Sequence, residues 1–156
     1  MKTELIVVGK TTSKHIAACI DDYAERIGHY MPFAISVIPE LKNTKALTER
    51  QQREREGEMI MQRVTATDTL VLLDEHGTEH RSIEFAAWLQ KKQLSARRLV
   101  FVVGGPYGFS QQVYDRANEM VSLSRMTFSH QMVRLIFTEQ LYRACTIIKG
   151  EPYHHE

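Results

Sequence analysis

Four short segments carry residues whose types and spacing could do chemistry. Gly104-Gly105-Pro106-Tyr107-Gly108 follows an apolar run that ends at Val103 and precedes Ser110, a residue suited to capping a helix. Glycines there permit positive φ and let a ligand approach the backbone, and a loop at the carboxyl end of a strand is where open α/β sheets bind ligands. The same glycines serve a plain tight turn equally well. Their spacing is not that of a dinucleotide fingerprint, and no Gly-Lys-Ser/Thr follows to make a phosphate loop. Leu73-Asp74-Glu75-His76-Gly77 and Leu123-Ser124-Arg125-Met126-Thr127-Phe128 also leave apolar runs. Taken singly each reads as a loop. Three such strand ends on one sheet edge would form a crevice of backbone groups and small apolar side chains, suited to an uncharged purine and a thioether or sulfonium.

The fourth segment is the tail Glu151-Pro152-Tyr153-His154-His155-Glu156. An exposed terminus ordinarily carries no function. An aromatic ring beside an imidazole could nevertheless stack on a splayed nucleobase and exchange a proton near neutral pH. Zinc binding by His154 and His155 with His76 or His80 is the competing reading; no cysteine pair accompanies these histidines, and their spacing matches no familiar site. The two tail histidines do not make a purification run, so the tail is read as native.

The elements that must position these segments alternate. Strand-length apolar runs occur at 5–8, 33–38, 69–73, 99–103 and 120–123, and segments of helical character lie between them at 14–29, 45–64, 82–94 and 110–118. Ser82 and Ser110 are the expected N-caps. This alternation predicts an α/β fold, a mostly parallel sheet flanked by helices. Segment 42–63 is highly charged, with Glu49–Arg53 and Arg50–Glu54 at i,i+4, and predicts a solvated helix that could also act as an arm over the site. From His130 to Lys149 apolar residues cover nearly the whole circumference, so the last helix should be buried on most sides, ending at Gly150 with Pro152 beyond. One small sheet offers too little cover for it, and a homodimer interface would supply the rest.

The 156 residues, 43% of them hydrophobic, suit one domain spanning 1–156, without repeats or a linker. Twenty basic against nineteen acidic residues leave a formal charge of +1, which excludes a global field for nucleic acid and requires any RNA contact to be local. Cys19 and Cys145 fit reduced packing cysteines in a cytoplasmic protein. The apolar run 5–8 is far too short for an export signal or a membrane span.

Together the segments resemble the ribosomal RNA large subunit methyltransferase H family, a single-domain branch of the SPOUT methyltransferases. The resemblance is carried by Leu72-Leu73-Asp74 with Gly77, by Val103-Gly104-Gly105 with Gly108, and by a long C-terminal stretch. That stretch comprises Leu123-Ser124, Met126-Thr127, His130-Gln131, Arg134, Glu139-Gln140, Tyr142-Arg143-Ala144, Ile147 and Pro152-Tyr153-His154. The motifs occupy roughly the C-terminal half, and strand spacing and length agree over the whole chain; residues 10–64 offer little to compare.

The resemblance implies a trefoil-knotted α/β fold, an exception to the rule that connections do not thread. It implies a homodimer in which the tail of one subunit approaches the cofactor pocket of the other. The implied activity is methylation of N3 of a pseudouridine in helix 69 of large-subunit rRNA on the assembled ribosome, with S-adenosylmethionine as methyl donor and no metal. Carried over residue by residue, Leu73, Gly104, Leu123, Ser124, Arg125, Met126, Thr127 and Phe128 would hold the donor, largely through backbone groups. Arg143, Tyr153 and His154 would meet the base, His154 at the N3 proton and Tyr153 stacking or positioning. Local basic groups, Lys91, Lys92, Arg97 and Arg98 or those of 42–63, are the expected contacts to ribosome surfaces. A SPOUT methyltransferase acting on transfer RNA and a catalytically silent RNA-binding or assembly factor are the competing readings.

Overall fold

Continuous runs of Val, Ile, Leu and Phe can be buried on both faces only in the middle of a layered structure, and that is where they lie. The computed structural model describes residues 1–156. Strands β1 (Lys2–Val8), β2 (Phe33–Ile38), β3 (Thr69–Glu79), β4 (Arg98–Val103) and β5 (Glu119–Ser122) form one sheet in the order β2-β1-β4-β3-β5, and every pairing is parallel. Helices α1 (Lys14–Gly28), α2 (Glu49–Met61), α3 (Ser82–Ser95) and α4 (Gln111–Arg116) make the crossovers, and α5 (Met132–Lys149) follows the last strand.

Alternate strand residues feed two cores. Leu5, Val71, Leu99, Phe101 and Val103 pack under α1, α3 and α5, against Ile27, Leu89, Phe137 and Leu141. Ile6, Leu70, Leu72, Val100 and Val102 face the other way, against Ile60 of α2 and Val113 of α4. Thus α1, α3 and α5 cover one face and α2 and α4 the other, the expected α/β layering with all strands parallel.

Several expectations are corrected. The charged helix is shorter than 45–64, because Thr48 caps α2 by accepting from the Gln51 amide while the Gln51 side chain accepts from the Thr48 amide. A separate 3-10 turn, Thr44–Ala46, precedes it. Arg50 pairs with Glu54 at 3.0 Å, but Glu49 and Arg53 form no pair. Nor is α2 wholly solvated, since Glu56, Gly57 and Ile60 are buried. Ser82 is not a cap: the helix starts one residue earlier, where Glu84 accepts from the Arg81 amide at 2.7 Å, and the Ser82 hydroxyl lies 3.5 Å from the Gln140 side-chain oxygen. Ser110 does cap α4, accepting from the Val113 amide.

β3 does not end at Leu73. Leu73 and Thr78 both register with Val121 of β5, so the residues between them leave the ladder as a bulge and the strand resumes to Glu79. Gly77 closes this excursion, because a Cβ there would lie 2.7 Å from the Met120 and Val121 backbone.

α5 begins at Met132 and ends as expected at Gly150, in the left-handed region at φ 73°. It packs on α1 and α3, burying Phe137, Leu141, Ala144 and Cys145 together with Arg134, Thr138 and Thr146. Its remaining apolar residues are half-buried, Ile136, Ile147 and Ile148 among them, or exposed, as Met132 is, so the expected burial on most sides is not reached in the monomer. No helix is long and apolar enough to cross a membrane. Both cysteines are free, Cys145 buried and Cys19 exposed.

Candidate active site

The excursion within β3 and the carboxyl ends of β4 and β5 open into one cavity of about 470 Å³. Its wall is built from Leu73, Asp74 and Glu75 of the β3 excursion, the loop from Val103 to Phe109 after β4, and the segment from Leu123 to Val133 between β5 and α5. The loop after β4 is tight: Gly108, at φ 78°, donates from its amide to the Gly105 carbonyl at 3.1 Å. Gly104 and Gly105 serve a different need, close approach. A Cβ on Gly104 would sit 3.2 Å from the Phe109 ring, and one on Gly105 would sit 2.4 Å from Oε1 of Glu56. Glu56 is 4% exposed and that oxygen has no hydrogen-bond partner. Burial, with Glu40 nearby, raises its carboxyl above the ordinary range against the opposing Gln52 bond.

The order of the sheet explains the convergence. β3 and β4 are neighbours and β5 flanks β3, so three consecutive loops must gather on one edge. α5 is fixed at the same edge by Arg134, which is 2% exposed and donates to the carbonyls of Val8 and Gly9 at 2.7 and 2.8 Å and to the Thr11 hydroxyl at 3.1 Å. The turn ahead of α5 thereby holds Phe128, Ser129 and His130 in the cavity wall.

Of the residues expected to hold the donor, Leu73, Gly104, Leu123, Ser124, Met126, Thr127 and Phe128 line this cavity. Arg125 does not; its side chain is 86% exposed and pairs outward with Glu79 at 3.2 Å. A volume within the range of small-ligand sites, a mixed apolar and backbone wall, and two glycines whose Cβ positions are crowded by Phe109 and Glu56 suit S-adenosylmethionine. Asp74 and Glu75 are the carboxylates of the wall, and it contains no lysine or arginine.

Arg143, Tyr153 and His154 are gathered elsewhere, none of them in the cavity wall of their own chain. Arg143 donates to Glu139 at 2.6 Å and to Nδ1 of His154 at 3.0 Å, and its guanidinium lies 4.8 Å from the Tyr153 ring centroid. Tyr153 donates to the same Glu139 at 2.9 Å. Burial, then Tyr23 and Glu139, push the Tyr153 phenol up, so it stays protonated. Arginine can only donate, so Nδ1 of His154 accepts and the ring carries its proton at Nε2. That Nε2 is buried without a hydrogen-bond partner, with Glu156 3.5 Å away. In this arrangement His154 offers a donor.

Glu139, which holds Arg143 and Tyr153, and Tyr114, which donates to Asp74 at 2.5 Å, were not singled out from sequence as site residues. The i,i+4 spacing of Glu139 and Arg143 was a usable signal for the first; nothing local marked the second. Two of the four basic groups at 91–98 are engaged internally. Lys92 pairs with Glu119, and Arg98 pairs with Glu4 and with the buried Asp68, leaving Lys91 and Arg97 exposed.

A family model described as a predicted SPOUT methyltransferase matches residues 1–154. A ribosomal RNA large subunit methyltransferase H of Bacteroides fragilis is 60% identical over 157 residues, covering 100% of this chain and 100% of that protein. Proteins of the same name from Phocaeicola vulgatus and Flavobacterium johnsoniae are 57% and 54% identical, again over 100% of both chains.

Proposed function

The chain belongs to the SPOUT methyltransferase family, and from that premise we propose that it methylates N3 of a pseudouridine in helix 69 of large-subunit rRNA, on the assembled ribosome. The observation that carries this reading is the convergence of the β3 excursion and the ends of β4 and β5 on one cavity whose wall includes seven of the eight residues expected to hold the donor: Leu73, Gly104, Leu123, Ser124, Met126, Thr127 and Phe128. When bound there, S-adenosylmethionine supplies an activated methyl carbon. Backbone groups of Gly104 and of 123–128 hold and orient it, and the apolar wall of Leu73, Val103 and Val133 excludes water from the reacting atoms.

Arg143, Tyr153 and His154 act on the base. Since they stand outside the cavity of their own chain, the reading requires a homodimer in which the tail of one protomer meets the cavity of the other. The half-buried Ile136, Ile147 and Ile148 of α5 and the exposed Met126 beside the cavity supply apolar surface for such an interface. The trefoil-knotted path of α5 is part of the same proposal. The N3 proton must leave as N3 attacks the methyl. With Nδ1 occupied by Arg143, His154 stabilises the developing anion by donating from Nε2, and it becomes the proton acceptor only if Arg143 lets go. Tyr153, fixed by Glu139, positions or stacks the base. Exposed Lys91 and Arg97, with Lys42, Lys45, Arg55 and Arg63 of segment 42–63, are the basic groups left for ribosomal surfaces, and a near-neutral chain needs such a shaped partner to find one base.

Transfer of radiolabelled methyl to ribosomes lacking the modification, with mass mapping of the product nucleoside, tests the proposal. Label on the helix 69 pseudouridine, with weak transfer to naked rRNA, is the expected result. Label on transfer RNA alone, donor binding without transfer to any RNA, or a monomer with full activity in sedimentation-matched assays overturns it.

A further inference from the structure

Building on the donor-binding reading above, we propose that Asp74 makes the cavity prefer the positively charged methyl donor over its neutral demethylated by-product. The Asp74 carboxylate forms part of the cavity wall and is 9% exposed. Both of its oxygens are held. Tyr114 donates to Oδ2 at 2.5 Å, the His76 amide donates to Oδ1 at 2.8 Å, and the His76 ring nitrogen Nδ1 lies 3.0 Å from that same oxygen. Tyr114 is steadied in turn by an edge-on contact with Phe109, itself a wall residue, at 5.7 Å between ring centroids.

Burial alone would raise the Asp74 carboxyl, but Tyr114 and the two His76 groups outweigh it and hold it below the usual carboxylate range. It is therefore ionised at neutral pH. Glu75 adds to that charge, the wall contains no lysine or arginine, and Arg125 points outward to Glu79; the nearby histidines are His130 of the wall and His76, whose ring lies against Asp74 Oδ1. A fixed negative charge in a half-enclosed, low-dielectric cleft acts on a bound ligand far more strongly than one in open solvent.

The two ligands differ by the feature this charge reads. S-adenosylmethionine carries a sulfonium and an ammonium against one carboxylate, a net single positive charge, whereas S-adenosylhomocysteine is a thioether with no net charge. Asp74 thus strengthens binding of the donor and leaves the by-product without that contribution, so that methyl transfer itself loosens what remains in the cleft.

Calorimetric titration of the wild type, Asp74→Asn and Tyr114→Phe with S-adenosylmethionine, S-adenosylhomocysteine and sinefungin, whose added amine is cationic, tests the assignment. The amide keeps the shape of Asp74: its oxygen can still accept from the His76 amide, and its NH2 can donate to the Tyr114 hydroxyl, which can turn to accept. The expected result is a loss of roughly tenfold for both cationic ligands in Asp74→Asn and less than about twofold for the thioether. Tyr114→Phe should shift the same ratio in the same direction by a smaller factor, and it decides the matter if the amide variant does not fold. Equal loss for all three ligands would assign Asp74 to shaping the excursion only and overturn the proposal. A wild type that binds none of them would remove the donor-binding reading, and the selectivity with it.

Discussion

Replacing Arg134 by methionine should both destabilise the chain and weaken ligand binding at a cavity that Arg134 does not touch. The guanidinium is almost fully buried and donates to two backbone carbonyls, those of Val8 and Gly9, and to the Thr11 hydroxyl. Val8 and Gly9 are themselves buried, so water cannot replace the lost donors without the strand end opening. Leaving a buried acceptor unsatisfied costs about 1–3 kcal/mol each. Two carbonyls therefore set a cost of about 2–6 kcal/mol, from which the recovered desolvation of the guanidinium subtracts, bringing the expectation to roughly 2–4 kcal/mol. That is a large share of the roughly 5–15 kcal/mol that holds a domain of this kind together. Urea unfolding should show a lower midpoint with an unchanged slope, because the surface exposed on unfolding is the same. Arg134→Lys, with a single ammonium in place of the fork, should recover part of the loss. Donor affinity, read by calorimetry under conditions where each variant is folded, should fall in the same order, since Phe128 to His130 are held by the turn that Arg134 pins. A methionine variant within about 1 kcal/mol of wild type, or one that loses stability while binding the donor normally, would refute the reasoning.

Phe137, fully buried with its ring 4.7 Å from that of Phe101, should cost about 3–5 kcal/mol when cut to alanine, measured by the same unfolding assay. Gly105→Ala drives a Cβ into Oε1 of Glu56 and should lower donor affinity; in a double-mutant cycle Glu56→Ala should restore most of it, and additive losses would show that the clash is not the cause. Glu56 has its carboxyl raised on folding, so its contribution to stability is fully present below the ordinary glutamate range and is lost as pH rises through the raised value. Glu56→Gln should therefore leave the melting temperature near pH 4 unchanged and raise it at pH 7 to 8, a dependence that thermal scans across pH would read. His154→Ala should lower single-turnover methyl transfer more than donor affinity, whereas Gly104→Val should abolish donor binding by pressing on Phe109, and matching losses of affinity in the two variants would contradict that division.

The layered architecture was legible because parallel strands buried on both faces leave unbroken apolar runs, as at Leu99 to Val103. The cavity was legible because the loops after such strands share an edge by topology. What escaped was decided by contacts distant in sequence. Asp74 to His76 look like the end of a strand, and only the re-pairing of Thr78 with Val121 shows that β3 continues. Ser82 is a good capping residue, yet Glu84 reaching back to the Arg81 amide moves the start of the helix. Arg98 reads as a surface charge until Glu4 of β1 and Asp68 just ahead of β3, the two strands flanking β4, pair with it. Direction was equally hidden: Arg125 lies within a contiguous run of wall residues but turns to Glu79. In the group of Arg143, Tyr153 and His154, Glu139 holds Arg143 and Tyr153 while His154 is reached only through Arg143; the i,i+4 spacing marks the first of these contacts and no local rule marks the others.

The bulge in β3 also bears on how this scaffold could change over time. Because Leu73 and Thr78 answer to a single residue of β5, the strand resumes as though nothing had been inserted, and the ladder on either side is indifferent to the length of what lies between. Evolution could lengthen, shorten or recode the stretch from Asp74 to His76 without shifting any neighbouring pair, provided a glycine survives at the point of return. Ligand preference and foldability are thereby uncoupled within one strand, which makes this stretch the natural place to graft a new recognition surface onto an otherwise untouched protein.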